Sequence, residues 1–158
     1  MRELILLRHA HAEPDAPGQA DLDRPLSAEG LAEAEAAGRW LAQNRLLPDC
    51  ALCSPARRAR ETLEAVLGVI GYVDQRIEPS MYEATPGTLI TLADSHNQAE
   101  RVLMIGHNPG FEQLAALLHS GQSGDYRGMP PAGIAVLTVP AGVPLEPGAA
   151  QLSAFWWP

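Results

Sequence analysis

Three short apolar segments of this chain are each followed at once by polar, reactive residues. Residues 4–7 precede Arg8 and His9, residues 50–53 precede Ser54 and Pro55, and residues 102–106 precede His107 and Asn108. Apolar runs of this length are typical of strands that are buried on both faces of a parallel sheet. Because ligands of open α/β sheets bind beyond the carboxyl ends of the strands, the pattern predicts one site at that edge.

The segments between these strands carry helix signals. Ser27 is a good N-cap for a helix that ends near Asn44, and Ser54-Pro55 has the features of an N-cap and first turn for a helix that ends near Leu67. Further helices are expected over residues 88–97 and 111–119, and late strands, towards the sheet edges, over 134–139 and 152–156. The alternation predicts one α/β domain over residues 1–158, a three-layer sandwich whose central, largely parallel sheet has helices on both faces.

Charge and composition exclude several classes of function. The net charge of −8 argues against nucleic-acid binding and against docking on an anionic membrane, since both normally need a basic surface. The chain shows neither the apolar region of a signal peptide nor a run of about 20 apolar residues that could span a membrane. Two cysteines are too few for a disulfide framework, so we expect a cytoplasmic protein.

The side chains expected at the sheet edge suit phosphoryl transfer. The planar fork of an arginine matches pairs of phosphate oxygens, and a neutral imidazole can attack phosphorus to give a covalent intermediate. A second imidazole, if protonated, can stabilise charge on the transferring oxygens. No metal or other cofactor is needed for this chemistry, and we expect none.

Three sequence motifs then resemble those of the histidine phosphatase superfamily, which is phosphoglycerate mutase-like in fold. Arg8-His9 resembles its Arg-His signature, and residues 54–62 (Ser-Pro-Ala-Arg-Arg-Ala-Arg-Glu-Thr) resemble its second motif, Ser-Pro-x-x-Arg-Ala-x-x-Thr. In that alignment Arg58, rather than Arg57, is the phosphate-binding arginine. Residues 106–109 (Gly-His-Asn-Pro) resemble the third motif, which carries a second histidine.

Further segments resemble the SixA-type phosphohistidine phosphatases within that superfamily. These are residues 23–26 (Asp-Arg-Pro-Leu), 81–84 (Met-Tyr-Glu-Ala) and 129–135 (Met-Pro-Pro-Ala-Gly-Ile-Ala), and the resemblance covers essentially the whole chain. One departure is Ala10, where many members of the superfamily have glycine. The SixA-type group often has alanine there.

The resemblance implies a role for each candidate residue. His9 is the expected nucleophile, and the groups expected to bind and stabilise the phosphoryl group are Arg8, Arg58 and His107. The substrate-binding candidates are Arg24, Asn108 and Glu83. Glu83 lies in the superfamily's acid region, although SixA-type proteins often lack an obvious acid there. The implied substrate is a histidine-phosphorylated protein, such as a phosphotransfer domain.

Other interpretations of the same residues remain open. His9 and His11 could form a metal-binding pair, and Cys50 and Cys53 have the spacing of a redox pair, although a strand would point these two thiols to opposite faces. The rival functions are a small-molecule phosphomonoesterase of the same superfamily and a non-catalytic phosphoryl-binding module.

Overall fold

Six strands form one sheet in the computed structural model, which describes residues 2–125 and 128–158. The strands are β1 (Arg2–Arg8), β2 (Cys50–Cys53), β3 (Asp74–Ile77), β4 (Arg101–Gly106), β5 (Ile134–Val139) and β6 (Gln151–Trp156). Their order is β3-β2-β4-β1-β5-β6; the first four are parallel, β5 runs antiparallel to β1, and β6 runs antiparallel to β5. The predicted α/β fold with a largely parallel sheet is therefore confirmed.

Helices cover both faces of the sheet, as predicted. They are α1 (Ala28–Gln43), α2 (Arg57–Ile70), α3 (Pro86–Asp94) and α4 (Gly110–Ser120), and single 3₁₀ turns span Asp21–Asp23 and Pro79–Met81. Leu6 of β1 shares a buried cluster with Phe111 of α4, whereas Leu7 shares the opposite cluster with Leu63 of α2. This alternation places α3 and α4 on one face and α1 and α2 on the other. No helix within the described residues is long and apolar enough to cross a membrane.

The two cysteines lie on opposite faces of β2, as the strand interpretation requires. Cys50 packs against the cluster of α3 and α4, and Cys53 is buried in the cluster of α1 and α2. Burial raises the pKa of the Cys53 thiol to about 12 and also raises the pKa of Cys50, so both thiols are protonated at neutral pH. Both are free, and their placement does not favour a redox pair.

The structure corrects four expectations about secondary structure. Helix α2 begins at Arg57 with Ala56 as its N-cap, so Ser54-Pro55 does not form the cap and first turn. Ser54 is instead the first residue beyond β2, and its hydroxyl lies 2.7 Å from Nε2 of His107. Strand β3 was missed because its four residues are exposed and mixed in polarity. Helix α3 starts and ends earlier than expected, and β5 lies inside the sheet between β1 and β6.

Gly30 allows the loop that leaves β1 to lie directly on the start of α1. Ser27 caps α1, accepting a hydrogen bond from Gly30 N–H at 3.0 Å, and the Ser27 N–H donates to the His11 carbonyl at 3.0 Å. A methyl group on Gly30 would lie 1.9 Å from that carbonyl oxygen. This contact fixes the chain shortly after His9.

Gly30→Ala should therefore destabilise the protein by about 1–3 kcal/mol, because the backbone of the loop or helix must move. Gly68→Ala is a matched control in α2, where the added methyl would meet nothing within 4 Å. It should stabilise the protein by about 0.5–1 kcal/mol through helix propensity. Urea unfolding of both variants measures the difference. Equal stability of the two would show that the loop does not lie on α1.

Candidate active site

The register of three parallel strands brings the predicted site residues together. Arg8 pairs with Gly106 across β1 and β4, and Cys53 pairs with Ile105 across β2 and β4. The residues that follow continue this alignment, since His9 N–H donates to the Gly106 carbonyl at 2.9 Å. As a result, the ring centroids of His9 and His107 are 5.1 Å apart.

His9 presents one defined ring nitrogen to the site. Its Nδ1 lies 2.7 Å from the Ala10 carbonyl oxygen, and because a carbonyl only accepts, Nδ1 must carry the proton. Burial, followed by the charge effects of His107, Arg58 and Arg8, lowers the pKa of His9 to about 3. At neutral pH the ring is therefore neutral, with an unshared electron pair on Nε2.

His107 is also held neutral and is fixed by a buried serine. Burial, followed by the positive charge of Arg58, lowers the pKa of His107 to about 4. Its Nε2 lies 2.7 Å from the hydroxyl of Ser54, which is fully buried and accepts a hydrogen bond from Ala56 N–H at 3.2 Å. The hydroxyl proton has no other acceptor among the described residues, so we infer that it is donated to Nε2. Nδ1 of His107 then carries the ring proton.

Arg8 and Asn108 are anchored at the same carbonyl group. Arg8 Nη1 and Asn108 Nδ2 donate to the Met129 carbonyl at 2.8 and 3.0 Å. The segment that follows returns to β1, with Ala132 N–H donating to the His9 carbonyl at 3.2 Å. The loop before β5 thus fixes both side chains and the backbone of the central histidine.

Arg58 and Arg57 have different surroundings, as the motif alignment predicts. Arg58 is 6% exposed and lines the cleft beside His107, whereas Arg57 is exposed and forms an ion pair with Glu61 at 3.3 Å. Thr62 connects the first two motifs, because its hydroxyl donates to the Arg58 carbonyl at 2.8 Å and accepts from Ala10 N–H at 3.0 Å. The motif threonine therefore holds α2 against the backbone that follows His9.

Arg24 reaches the site through Asp21. Its Nε forms ion pairs with Asp21 at 3.0 Å and with Asp15 at 3.3 Å. Asp21 also pairs with Arg58 at 3.0 Å and accepts a hydrogen bond from the Tyr82 hydroxyl. The positive charge of Arg24 contributes to the low pKa of His107, after the larger effects of burial and Arg58.

A cleft of about 390 Å³ opens to the surface at this point. Its walls are formed by residues of the second and third motifs, of the loop before α3 and of two neighbouring segments: Asp21, Arg58, Tyr82, Glu83, Ala84, Thr85, His107, Asn108, Pro109, Gly110 and Gln113. Glu83 is exposed and lies in the left-handed backbone region with φ of 56°. The structure thus brings all seven predicted residues to one cleft and its immediate surroundings.

Four buried polar atoms at this site have no hydrogen-bond partner within the described part of the chain. They are Arg8 Nε, Arg58 Nε, His107 Nδ1 and Asn108 Oδ1. Buried polar atoms are almost always paired, and an unpaired one costs about 1–3 kcal/mol. Their concentration at the predicted site indicates a place built to bind a polar ligand, and the three nitrogens suit an anion.

The metal-binding interpretation finds little support in the surroundings of His11. Its Nδ1 lies 2.7 Å from the Ser27 hydroxyl, at the start of α1. Residues 2–125 and 128–158 contain no group of three or more side chains placed to hold a metal ion. The cationic neighbours of His9 would also repel one.

Sequence reasoning missed three residues that organise the site. Ser54 was predicted as a helix cap, and Asp21 and Tyr82 were assigned no contact with Arg58. Asp21 is separated by 37 positions from Arg58 and by 61 from Tyr82, so no local periodicity could connect them. The available signal was the motif itself, since Ser54 and Tyr82 lie in segments that were already recognised.

Comparison with known sequences supports the motif interpretation. The model for branch 1 of the histidine phosphatase superfamily matches residues 4–101. An uncharacterized protein of Mycobacterium tuberculosis is 40% identical over 163 residues, covering 96% of this chain and 99% of its own.

Solved structures show the same architecture. A protein from Agrobacterium tumefaciens assigned as the phosphohistidine phosphatase SixA has a TM-score of 0.86 and 32% identity, covering 99% of this chain and 98% of its own. The protein histidine phosphatase SixA in complex with tungstate has a TM-score of 0.84, covering 98% of this chain and 96% of its own. At 24% identity, this second likeness supports the fold alone.

The position of the His107 proton can be tested by ¹⁵N NMR of the imidazole nitrogens. We expect the proton on Nδ1 in the wild type, because Ser54 donates to Nε2. Ser54→Ala removes that donor and should give a mixture of tautomers at His107. His9 is the internal control, since its bond to the Ala10 carbonyl is unchanged. A wild-type proton on Nε2 of His107 would contradict the assignment.

Proposed function

The chain belongs to the histidine phosphatase superfamily and is of the SixA type, and from this we propose that it hydrolyses phosphohistidine on a protein through a phospho-His9 intermediate. The observation that carries the proposal is the neutral His9 with its Nδ1 fixed, beside three nitrogens of Arg8, Arg58 and His107. Within the described part of the chain, neither these nitrogens nor Nε2 of His9 has a hydrogen-bond partner. A nucleophile and a set of donors for phosphoryl oxygens thus occur together.

In the first step, the Nε2 electron pair of His9 attacks phosphorus. A bond forms between Nε2 and phosphorus while the bond from phosphorus to the leaving group breaks. The ring gains positive charge as this happens, and the Ala10 carbonyl that accepts from Nδ1–H stabilises that charge. Arg8 Nε, Arg58 Nε and His107 Nδ1–H bind the phosphoryl oxygens, where charge develops in the transition state.

In the second step, water attacks the phosphorus of phospho-His9. The Nε2–phosphorus bond breaks and its electron pair returns to Nε2, which restores neutral His9, while both protons of the water leave with inorganic phosphate as H2PO4⁻. The same donors hold the phosphoryl group in both steps, so no metal is required in this scheme. Asn108 Oδ1 is an acceptor and would suit a donor on the substrate, such as the N–H of an imidazole.

The form of the cleft favours a phosphorylated side chain over a small free molecule. Exposed residues, including Glu83, Thr85 and Pro109, border the cleft. An open cleft can admit an imidazole presented by a phosphotransfer domain. Both cysteines are free, which agrees with a reducing cytoplasm as the place of this reaction.

Rapid mixing with ³²P-labelled substrate and quenching without acid tests the nucleophile. We expect an acid-labile phosphoenzyme that is lost in His9→Ala and retained, with slower turnover, in His107→Ala. The reaction is run in excess chelator, since the scheme uses no metal. Label that persists in His9→Ala and disappears in His107→Ala would reverse the two roles. Binding without any turnover or label would instead favour a phosphoryl-binding module.

The two neighbouring arginines provide a matched pair of variants. Arg58→Ala should lower kcat/KM by about a hundredfold or more, because a charge-assisted bond in the transition state is worth on the order of 3 kcal/mol. Arg57→Ala should remain within about threefold of the wild type, because an exposed ion pair contributes little. Steady-state kinetics on an aryl phosphate gives both values. The opposite ranking would show that the motif alignment is off by one residue.

Glu83 distinguishes the two kinds of substrate. An alkoxide needs a proton as it leaves, and general-acid help is typically worth about 10²–10⁴-fold, whereas a protonated imidazole leaves readily without it. Glu83→Gln should therefore barely change phosphohistidine hydrolysis, and the wild type should be slow on alkyl phosphates. The measurement is kcat/KM for both substrates in both proteins. Fast alkyl phosphate hydrolysis that is lost in Glu83→Gln would favour the small-molecule phosphomonoesterase.

A further inference from the structure

The carboxylate of Asp21 lies between the two arginines nearest the mouth of the cleft. Its Oδ1 accepts from Arg24 Nε at 3.0 Å, and its Oδ2 accepts from Arg58 Nη2 at 3.0 Å and from the Tyr82 hydroxyl. The Asp21 backbone carbonyl accepts from Arg58 Nη1 at 2.8 Å. One residue therefore binds Arg58 through both its backbone and its side chain.

These bonds occupy only one edge of the Arg58 guanidinium. The group has five N–H bonds, arranged so that Nη1 with Nη2 forms one edge and Nε with Nη2 forms another. Asp21 accepts one hydrogen each from Nη1 and Nη2. Nε has no partner among the residues described, so the Nε–Nη2 edge remains free for two phosphoryl oxygens.

Asp21 is also the ion-pair partner of Arg58. The Arg58 side chain is 7% exposed, and Asp21 forms the one ion pair recorded for it within the described residues. The hydrogen bond from Tyr82, followed by that from Arg58, lowers the pKa of Asp21 to about 2, so the carboxylate is charged at neutral pH. Losing this charge would leave a buried cation without its partner and free to change direction.

We propose that Asp21 is a positioning residue, which holds Arg58 by one edge and thereby directs the other edge at the phosphoryl group. Tyr82 donates to the same carboxylate oxygen as Arg58, and Arg24 donates to the other oxygen. The proposal rests on the phosphoryl-binding role of Arg58 given above. It adds a residue that acts through Arg58 rather than on the substrate.

A competing role for Asp21 would give the opposite change in oxyanion affinity. A carboxylate beside Arg58 could instead compete with a phosphoryl group for that arginine. Its removal would then strengthen the binding of oxyanions, whereas removal of a positioning residue weakens it. The affinity for an inorganic oxyanion therefore distinguishes the two roles: it falls when a positioning residue is removed and rises when a competing one is removed.

The test compares Asp21→Asn with Asp23→Asn. The second variant removes the same charge two residues away in the same turn, from a side chain with no ion pair or hydrogen bond to residues 2–125 or 128–158. Tungstate affinity by calorimetry, and kcat and KM on an aryl phosphate, are measured for each. Asp21→Asn should weaken tungstate binding and lower kcat/KM by roughly 10- to 100-fold. Asp23→Asn should stay within about twofold.

A double-mutant cycle shows whether Asp21 acts through Arg58. In the Arg58→Ala background, Asp21→Asn should change kcat/KM by no more than about twofold, because the group that it positions is gone. An undiminished loss in that background would overturn the proposal. So would tighter tungstate binding by Asp21→Asn, or an equal loss in Asp23→Asn.

Two more variants keep the test decisive if Asp21→Asn unfolds. Tyr82→Phe removes one bond to the carboxylate without touching Arg58, and should give a smaller loss of tungstate affinity. Asp21→Glu keeps the charge and should restore part of the activity. Wild-type affinity in Tyr82→Phe together with no rescue by Asp21→Glu would count against the proposal. A wild type that neither binds tungstate nor hydrolyses the aryl phosphate would instead refute the proposed function.

Discussion

Parallel pairing of β4 with both β1 and β2 is the constraint on which the site depends. The register places Arg8 beside Gly106 and Cys53 beside Ile105, so the next residue of each strand reaches the same edge. A shift of one residue in any strand would turn His9, Ser54 or His107 to the other face. Apolar side chains on both faces of these strands oppose such a shift, because each residue is already matched to one of two buried clusters.

In the proposed mechanism, the positive charges of the site contribute both to phosphoryl binding and to the neutral state of His9. Burial, and then the charges of Arg58 and Arg8, lower the pKa of His9 to about 3 and that of His107 to about 4. The arginines proposed to bind the phosphoryl group therefore add to the effect of burial in keeping His9 unprotonated. Three buried nitrogens of the site have no partner among the described residues, at a cost of about 1–3 kcal/mol each, which the surrounding core must offset.

Most of the fold and the main site residues could be predicted because they lie in contiguous segments. Buried strands read as apolar runs, and each of the three motifs starts where such a strand ends. Strand β3 was not predicted, because all four of its residues are exposed at the edge of the sheet. The strand is defined by its backbone hydrogen bonds to β2 and not by a buried face. Backbone hydrogen bonds produce no pattern of side-chain polarity in the sequence.

Contacts between distant loops were beyond sequence reasoning for a different reason. The Ser-Pro pair after β2 has the composition of a helix start, yet α2 begins two residues later. The hydroxyl of Ser54 is fully buried and faces His107, where it pairs with a ring that would otherwise have no bond at Nε2. Helix-capping preferences predict that Ser54 bonds to the free backbone N–H groups at the start of the helix. In the structure its hydroxyl bonds to His107, which is 53 positions away.

The overall charge of the chain bears on the proposed choice of substrate. A net charge of −8 gives an unfavourable long-range field for free polyanions such as nucleotides. Asp21 and Glu83 line the cleft, and Asp15 pairs with Arg24 close by, so the carboxylates extend this field to the entrance. The side chains of Arg8 and Arg58 are mostly buried, so they attract a phosphoryl group only at short range, once it has entered the cleft. The balance of charge agrees with the proposed substrate, a phosphoryl group carried by a protein side chain.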